Sequence, residues 1–150
     1  MAKETRTIEC PWDLTTYKWK IEADALNLFV KGLKDRKILG RKCHKCGTVY
    51  VPGTSYCRKC LIDIDEVVEV KPEGTLDAFT VTISDIHGNP VEKPFITCTV
   101  RLEGSDSLIM GTLEGWKDWR EVKEGMKVKA VLKDVTQGAL SDLSHFELIN

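Results

Sequence analysis

A mainly β chain with an N-terminal helix, a cysteine-built ribbon and a five-stranded Greek-key barrel of the OB type is what this sequence predicts. Three observations carry that reading. Two Cys-x2-Cys pairs, Cys43/Cys46 and Cys57/Cys60, stand ten residues apart. A segment with apolar residues at helical spacing precedes them. Short alternating apolar and polar stretches, separated by turn residues, follow them. The expected organisation is an arm and docking helix over 1–37, a ribbon over 38–66 and a barrel over 67–150.

Residues 1–22 are aromatic-rich and irregular, with Trp12, Tyr17 and Trp19 and a breaker at Pro11. Across 22–37, Leu26, Phe29, Val30 and Leu33 fall at i, i+3, i+4 and i+7, the apolar stripe of a helix. Asp24 suits its N-cap. Lys31, Lys34, Arg36 and Lys37 suit the negative end of its dipole. Leu28 lies opposite the stripe. With the three aromatics upstream it predicts a second face that packs on another protein.

Residues 38–50 read as a hairpin that carries the first cysteine pair, and 49–52 lead into a turn at Gly53. A short strand is expected over 67–70, stopped by Lys71-Pro72-Glu73-Gly74. The next, 75–83, has apolar residues at even positions (Leu76, Ala78) and then at odd ones (Phe79, Val81, Ile83). Such a phase slip predicts a bulge or strong coiling. Residues 84–94 are expected to be a loop around His87-Gly88-Asn89-Pro90. Further strands are expected over 96–102, 108–113, 126–132 and about 145–149. The connection 114–125 holds Trp116, Trp119 and one helical turn. Five antiparallel strands, a bent first strand and a longer third connection fit a small closed barrel, and closure removes exposed edges.

The cysteines carry the clearest chemistry. A two-residue gap turns both sulfurs toward one point, and two such turns supply four thiolates in a tetrahedron. That is the geometry Zn2+ prefers, and four thiolates close its shell, so the expected zinc is structural. Gly47 fits a tight turn after the first pair. Leu61 follows the second pair, so that turn must form without glycine. Iron suits the same four sulfurs, and zinc is preferred to it. A pair of disulfides is the third reading. Residues 1–6, Met-Ala-Lys-Glu-Thr-Arg, lack the apolar centre of a signal peptide. No run approaches the roughly 20 apolar residues of a membrane span. The expected compartment is the cytoplasm, where thiols stay reduced.

Size and composition fit one ordinary domain or two small ones: 150 residues, 42% hydrophobic and 30% charged, with a net charge of −1. Four thiolates and one Zn2+ add −4 + 2, which brings the metal-bound chain near −3. Balanced charge argues against a dedicated nucleic-acid binder. Arg41, Lys42, Lys45, Arg58 and Lys59 cluster around the ligands. They offset local negative charge or meet an acidic ligand such as the phosphates of coenzyme A.

Several residues look functional without forming a site. Cys98 sits on the apolar side of its strand and reads as a buried small hydrophobe. Cys10 reads as a free thiol. His44 lies inside a knuckle beside better ligands. His87 and His145 have no visible nucleophile or carboxylate arrangement. Trp116 and Trp119 cap the barrel or stack on a ligand. No phosphate loop, dinucleotide fingerprint or His-Glu-x-x-His motif is present. The chain is therefore not expected to catalyse alone.

The order of helix, ribbon and barrel resembles the acyl-CoA-associated zinc-ribbon/OB-fold family, with its rubredoxin-like zinc ribbon. The resemblance spans roughly 22–150. It rests on Phe29-Val30-Lys31-Gly32-Leu33, Cys43-His44-Lys45-Cys46-Gly47, Pro52, Cys57-Arg58-Lys59-Cys60, Gly74-Thr75-Leu76 and Glu124-Gly125-Met126-Lys127-Val128. Leu61 and a proline-poor hairpin depart from the pattern and leave the ligands intact.

The resemblance implies a non-catalytic subunit of a thiolase-fold complex acting on a β-ketoacyl-CoA, with benzoylsuccinyl-CoA thiolase of anaerobic aromatic degradation as one such complex. Hydroxymethylglutaryl-CoA synthase and aldolase complexes are alternatives. The catalytic cysteine would belong to the partner. Trp12, Tyr17, Trp19 and Leu28 would dock on it in a hetero-oligomer, and the basic ribbon face would help bind CoA or acyl-CoA. The rival is a nucleic-acid-binding module, since zinc ribbons and OB barrels both serve there. An iron electron carrier is the third reading.

Overall fold

The structure, a computed structural model, describes residues 24–149. The aromatic arm with Trp12, Tyr17 and Trp19, together with Cys10, lies outside those residues.

Helix α1 spans Asp24–Lys34. Phe29 and Leu33 are buried and Leu26, Val30 and Leu28 half-buried, so the apolar stripe faces the protein as its spacing requires. The helix ends three residues earlier than expected. Arg36 adopts φ 59°, the Lys37 amide donates to Gly32 O at 2.8 Å, and the Arg36 amide donates to Leu33 O at 3.0 Å. This is a Schellman stop, with arginine in the left-handed place that glycine usually takes. Long-range bonds hold the end in place. Arg36 Nη1 donates to Lys133 O at 3.0 Å, and Thr136 Oγ1 donates to Lys34 O at 2.8 Å. Beneath them the buried Asp142 carboxylate accepts the amides of Gln137, Gly138 and Ala139 at 2.7–3.0 Å. Those bonds, that of Ala139 foremost, hold its carboxyl below the usual range.

Strands β1 (Ile38–Lys42), β2 (Val49–Tyr50) and β3 (Glu66–Val70) form a three-stranded antiparallel sheet in the order β2-β1-β3. β3 follows the last cysteine in sequence, yet it pairs along all of β1, from Ile38↔Val70 to Lys42↔Glu66.

Strands β4 (Glu73–Ser84), β5 (Pro90–Leu102), β6 (Ile109–Glu114), β7 (Lys127–Leu132) and β8 (Leu143–Leu148) close a barrel in the order β4-β5-β6-β8-β7. The predicted phase slip is present. Leu76 faces Val100 and Ala78 faces Thr99, so Asp77 is the extra residue. Two expectations are corrected. The segment 84–94 is mostly strand, because β5 starts at Pro90 and the turn shrinks to 85–89. The Asp85 carboxylate fixes that turn by accepting the amides of His87 and Asn89 at 2.8 and 2.9 Å. Nor are all five strands antiparallel, since β6 and β8 run parallel. A ring of five cannot alternate direction throughout, so closure itself demands a parallel pair.

One apolar core joins these parts. Phe29 and Leu33 of α1, Ile38 of β1 and Val70 of β3 belong to the same buried cluster as Leu76 and Phe146 of the barrel. Trp116 and Trp119 pack partly against it. The Trp116 indole N–H donates to Leu113 O at 2.9 Å, and the Arg120 guanidinium lies 4.4 Å from the Trp119 ring centroid. Both tryptophans thus serve as part of the barrel wall. No helix among the described residues is long and apolar enough to cross a membrane.

Gly111 lies against the barrel core, where a Cβ would meet Phe146 ring carbons at 2.8 and 3.0 Å. Gly111→Ala is expected to cost about 1–3 kcal/mol, measured by thermal denaturation. Combined with Phe146→Leu it is expected to cost less than the two single changes summed.

Candidate metal centre

Two near-identical turns build the site. In the first, the Cys43 amide donates to Thr48 O at 2.9 Å and the Gly47 amide donates to Cys43 O at 2.8 Å. In the second, the Cys57 amide donates to Ile62 O at 2.7 Å and the Leu61 amide donates to Cys57 O at 2.8 Å. Each turn closes through a left-handed residue, Gly47 at φ 74° and Leu61 at φ 56°. Leucine thus pays a steric penalty of about 1–2 kcal/mol where glycine pays none. Its side chain is 80% exposed, so local packing offsets little of this.

The four Sγ atoms of Cys43, Cys46, Cys57 and Cys60 lie within 4.8 Å of one another. Cys46 Sγ and Cys57 Sγ are 3.6 Å apart. A tetrahedron with Zn–S bonds of about 2.3 Å has edges of about 3.8 Å, so the donor set fits zinc in distance and in softness. Cys43 and Cys57 are fully buried, Cys60 is half-buried and Cys46 is exposed. Tyr50 and Ile64 complete a small apolar cluster around the buried pair.

Two hydroxyls support the sulfurs, and spacing alone gave no sign of them. Thr48 Oγ1 lies 3.2 Å from Cys46 Sγ. Tyr50 Oη lies 3.5 Å from Cys57 Sγ and accepts the Arg58 amide at 3.2 Å, which leaves its own proton for the sulfur. The Cys60 amide also points at Cys57 Sγ, at 3.4 Å. The Tyr50 bond, ahead of other causes, holds the Cys57 thiol down at about 6, and the Thr48 bond lowers that of Cys46. Bonding to Cys46, ahead of burial, pushes the Cys60 thiol up to about 12. Lowered thiols suit a cation-binding site, because the thiolate is the ligand. Burial alone pushes the Cys98 thiol up to about 11, as expected of an inert core cysteine.

The basic residues part company here. Arg41 turns inward, where its Nη1 donates to Ile64 O at 3.1 Å and its Nε is buried without a partner. Lys42 is half-buried, 3.9 Å from Glu66. Lys45, Arg58 and Lys59 are exposed on the knuckles. Arg58 lines a cleft of about 440 Å³ shared with Tyr50, Pro52, Asp106 and Leu108. His44 is exposed and stands outside the sulfur cluster. His145 meets Ser144 and, at 3.9 Å, Glu114.

The cleft lies where the ribbon meets the barrel. The Val49 amide donates to the Asp106 carboxylate at 2.8 Å, and the Asp106 amide donates to Val49 O at 2.9 Å. The Val51 amide donates to Ser107 Oγ at 2.6 Å, and Ser107 Oγ donates to Val51 O at 2.9 Å. The barrel loop therefore serves as a strand along β2 and satisfies its free edge.

Comparison with known proteins agrees with this architecture. Residues 30–66 match the ChsH2 rubredoxin-like zinc ribbon domain and residues 67–133 the ChsH2 C-terminal OB-fold domain. A solved DUF35-family protein of unknown function from Sulfolobus solfataricus is 32% identical, with a TM-score of 0.65 over 83% of this chain and 84% of that one. The chain belongs to the ChsH2/DUF35 family. A DUF35 domain-containing scaffold protein of Methanocaldococcus jannaschii is 29% identical over 102 residues, 67% of this chain and 70% of the relative. The fold is also that of a solved Ltp2-ChsH2(DUF35) aldolase chain, with a TM-score of 0.60 at 19% identity over 88% of this chain and 97% of that one.

For this DUF35 chain Cys43→Ser is expected to abolish stoichiometric zinc, measured by elemental analysis of purified protein. Tyr50→Phe is expected to keep the stoichiometry and weaken affinity about 10–100-fold, read by competition with a chromophoric chelator. Leu61→Gly is expected to keep zinc and stabilise the fold by about 1 kcal/mol, read as a raised Tm.

Proposed function

We propose that this chain is a non-catalytic scaffold subunit of an acyl-CoA complex and docks on a thiolase-fold catalytic subunit. The observation that carries the proposal is the join between ribbon and barrel. Four hydrogen bonds from Asp106 and Ser107 to Val49 and Val51 fix the two parts to each other. A body of this kind holds a partner in one geometry, in keeping with the scaffold role named for the Methanocaldococcus relative. Between the candidate reactions, the solved aldolase of the same fold favours an aldolase complex over thiolytic cleavage.

Leu28, half-buried on α1, and the arm residues Trp12, Tyr17 and Trp19 are assigned to docking. Lys45, Arg58 and Lys59 are assigned to the phosphates of CoA or acyl-CoA. Arg41 and Lys42 have internal partners and are expected to contribute less.

Co-expression with a thiolase-fold protein encoded beside this chain tests the reading. The expected outcome is a stable hetero-oligomer whose retro-aldol activity on an acyl-CoA falls at least tenfold without this chain. Full activity of the partner alone and no complex would end the proposal.

A further inference from the structure

Charge is unevenly distributed around the barrel. β7 carries exposed Lys127 and Lys129, which pair with Glu103 at 3.5 Å and Glu73 at 3.7 Å. That side is dressed for water. The outer face of β4, β5 and β6 differs. Its cross-strand rows are Ala78–Thr99–Met110, Thr80–Thr97–Thr112 and Thr82–Phe95. Alternation turns these residues outward, because Ile96, Cys98 and Val100 between them are buried. None of the eight is charged, in a chain of which 30% is charged.

The face is open. Met110 is 70% exposed and Phe95 49%. Beyond it, at the tip of the β4–β5 hairpin, Ile86 is 95% exposed. Charges return only at the margins. Arg101 and Asp77 pair at 3.4 Å at one end, and Lys93, Glu114 and Lys117 line a cleft with Phe95 at the other. An uncharged centre containing methionine and an aromatic, within a charged rim, is the composition of a protein interface.

The chemistry narrows the occupant. OB barrels bind oligonucleotides on this face, but phosphate binding needs cations, and none stands among the eight. A small ligand needs concavity, and only one end of the face, at Phe95 and Thr112, borders a cleft. The face itself measures roughly 15 by 15 Å from strand spacing and rise, on the order of 200 Å². That is well below the roughly 800 Å² per partner of a stable complex. Two copies packed face to face would bury too little. A larger partner that also receives the hairpin fits the area.

We propose that the outer face of β4–β5–β6, continued by the hairpin tip, docks on the catalytic subunit; this rests on the scaffold reading above. The partner surface is uncharged at its centre, with a hollow for Ile86 and charged groups at its margin.

The test uses the full chain co-expressed with that subunit, and compares wild type with Met110→Lys, Thr112→Lys and Ile86→Lys by copurification and binding titration. Lys129→Ala on the charged side is the control. All four positions are exposed, so Tm and zinc content are expected to stay at wild-type values. The three lysine variants are expected to weaken binding at least tenfold each, and the control less than twofold. Wild-type-like binding by all three lysine variants, with the wild-type complex intact, would overturn this face and leave the scaffold reading standing. No complex with wild type would overturn both. A dimer of the isolated chain that Met110→Lys dissolves would assign the face to a second copy and overturn the proposal.

Discussion

The duplicated turn around the metal centre is the constraint on which the ribbon depends. Four sulfurs can converge only if both loops reverse within five residues, and each does so through the same pair of backbone hydrogen bonds. The first turn uses Gly47 and the second accepts the strain of Leu61. Convergence buries Cys43 and Cys57 in a cage whose negative charge needs a cation or donors nearby. Tyr50 and the Cys60 amide supply donors, and Thr48 bonds Cys46. A metal bound there joins two loops that share little else, and so takes the place of a larger core.

From that centre, order passes to the barrel through β2. This strand has only two residues and could not hold an edge alone. Asp106 and Ser107 cover it on one side, and β1 pairs with it on the other. Tyr50 belongs to the same strand, so the residue that bonds Cys57 Sγ sits between the two backbone segments clamped by the barrel. Helix α1 is tied in from the opposite direction, through Arg36 and Thr136 to the segment before β8. Ribbon, helix and barrel are joined by directional bonds as well as by a shared apolar core. Such a join holds relative position.

The barrel adds a division of surfaces. Lysine–glutamate pairs cover β7 and its neighbours, while threonine, alanine, methionine and phenylalanine cover β4–β5–β6. Exposed ion pairs add little stability. Their value here lies in keeping one side in water, in contrast to the side whose centre carries no charge.

Much of this was legible along the chain. The cysteine spacing marked the four residues whose sulfurs converge, because metal geometry constrains sequence locally. Period 3.6 marked α1 and period 2 marked the buried positions 96, 98, 100 and 102. The phase slip between Ala78 and Phe79 signalled an irregularity, which the structure places at Asp77. Tertiary structure alone decided the rest. Arg36 stops the helix because its guanidinium reaches carbonyls nearly a hundred residues away. β6 and β8 are parallel because an odd ring must close. Arg41 leaves the basic cluster because Ile64 O captures it. Thr48 and Tyr50 become partners of the sulfurs only once the hairpin folds back. The uncharged face exists only when three strands lie side by side. Local pattern can encode a period or a ligand spacing; it cannot encode which distant backbone a side chain will meet.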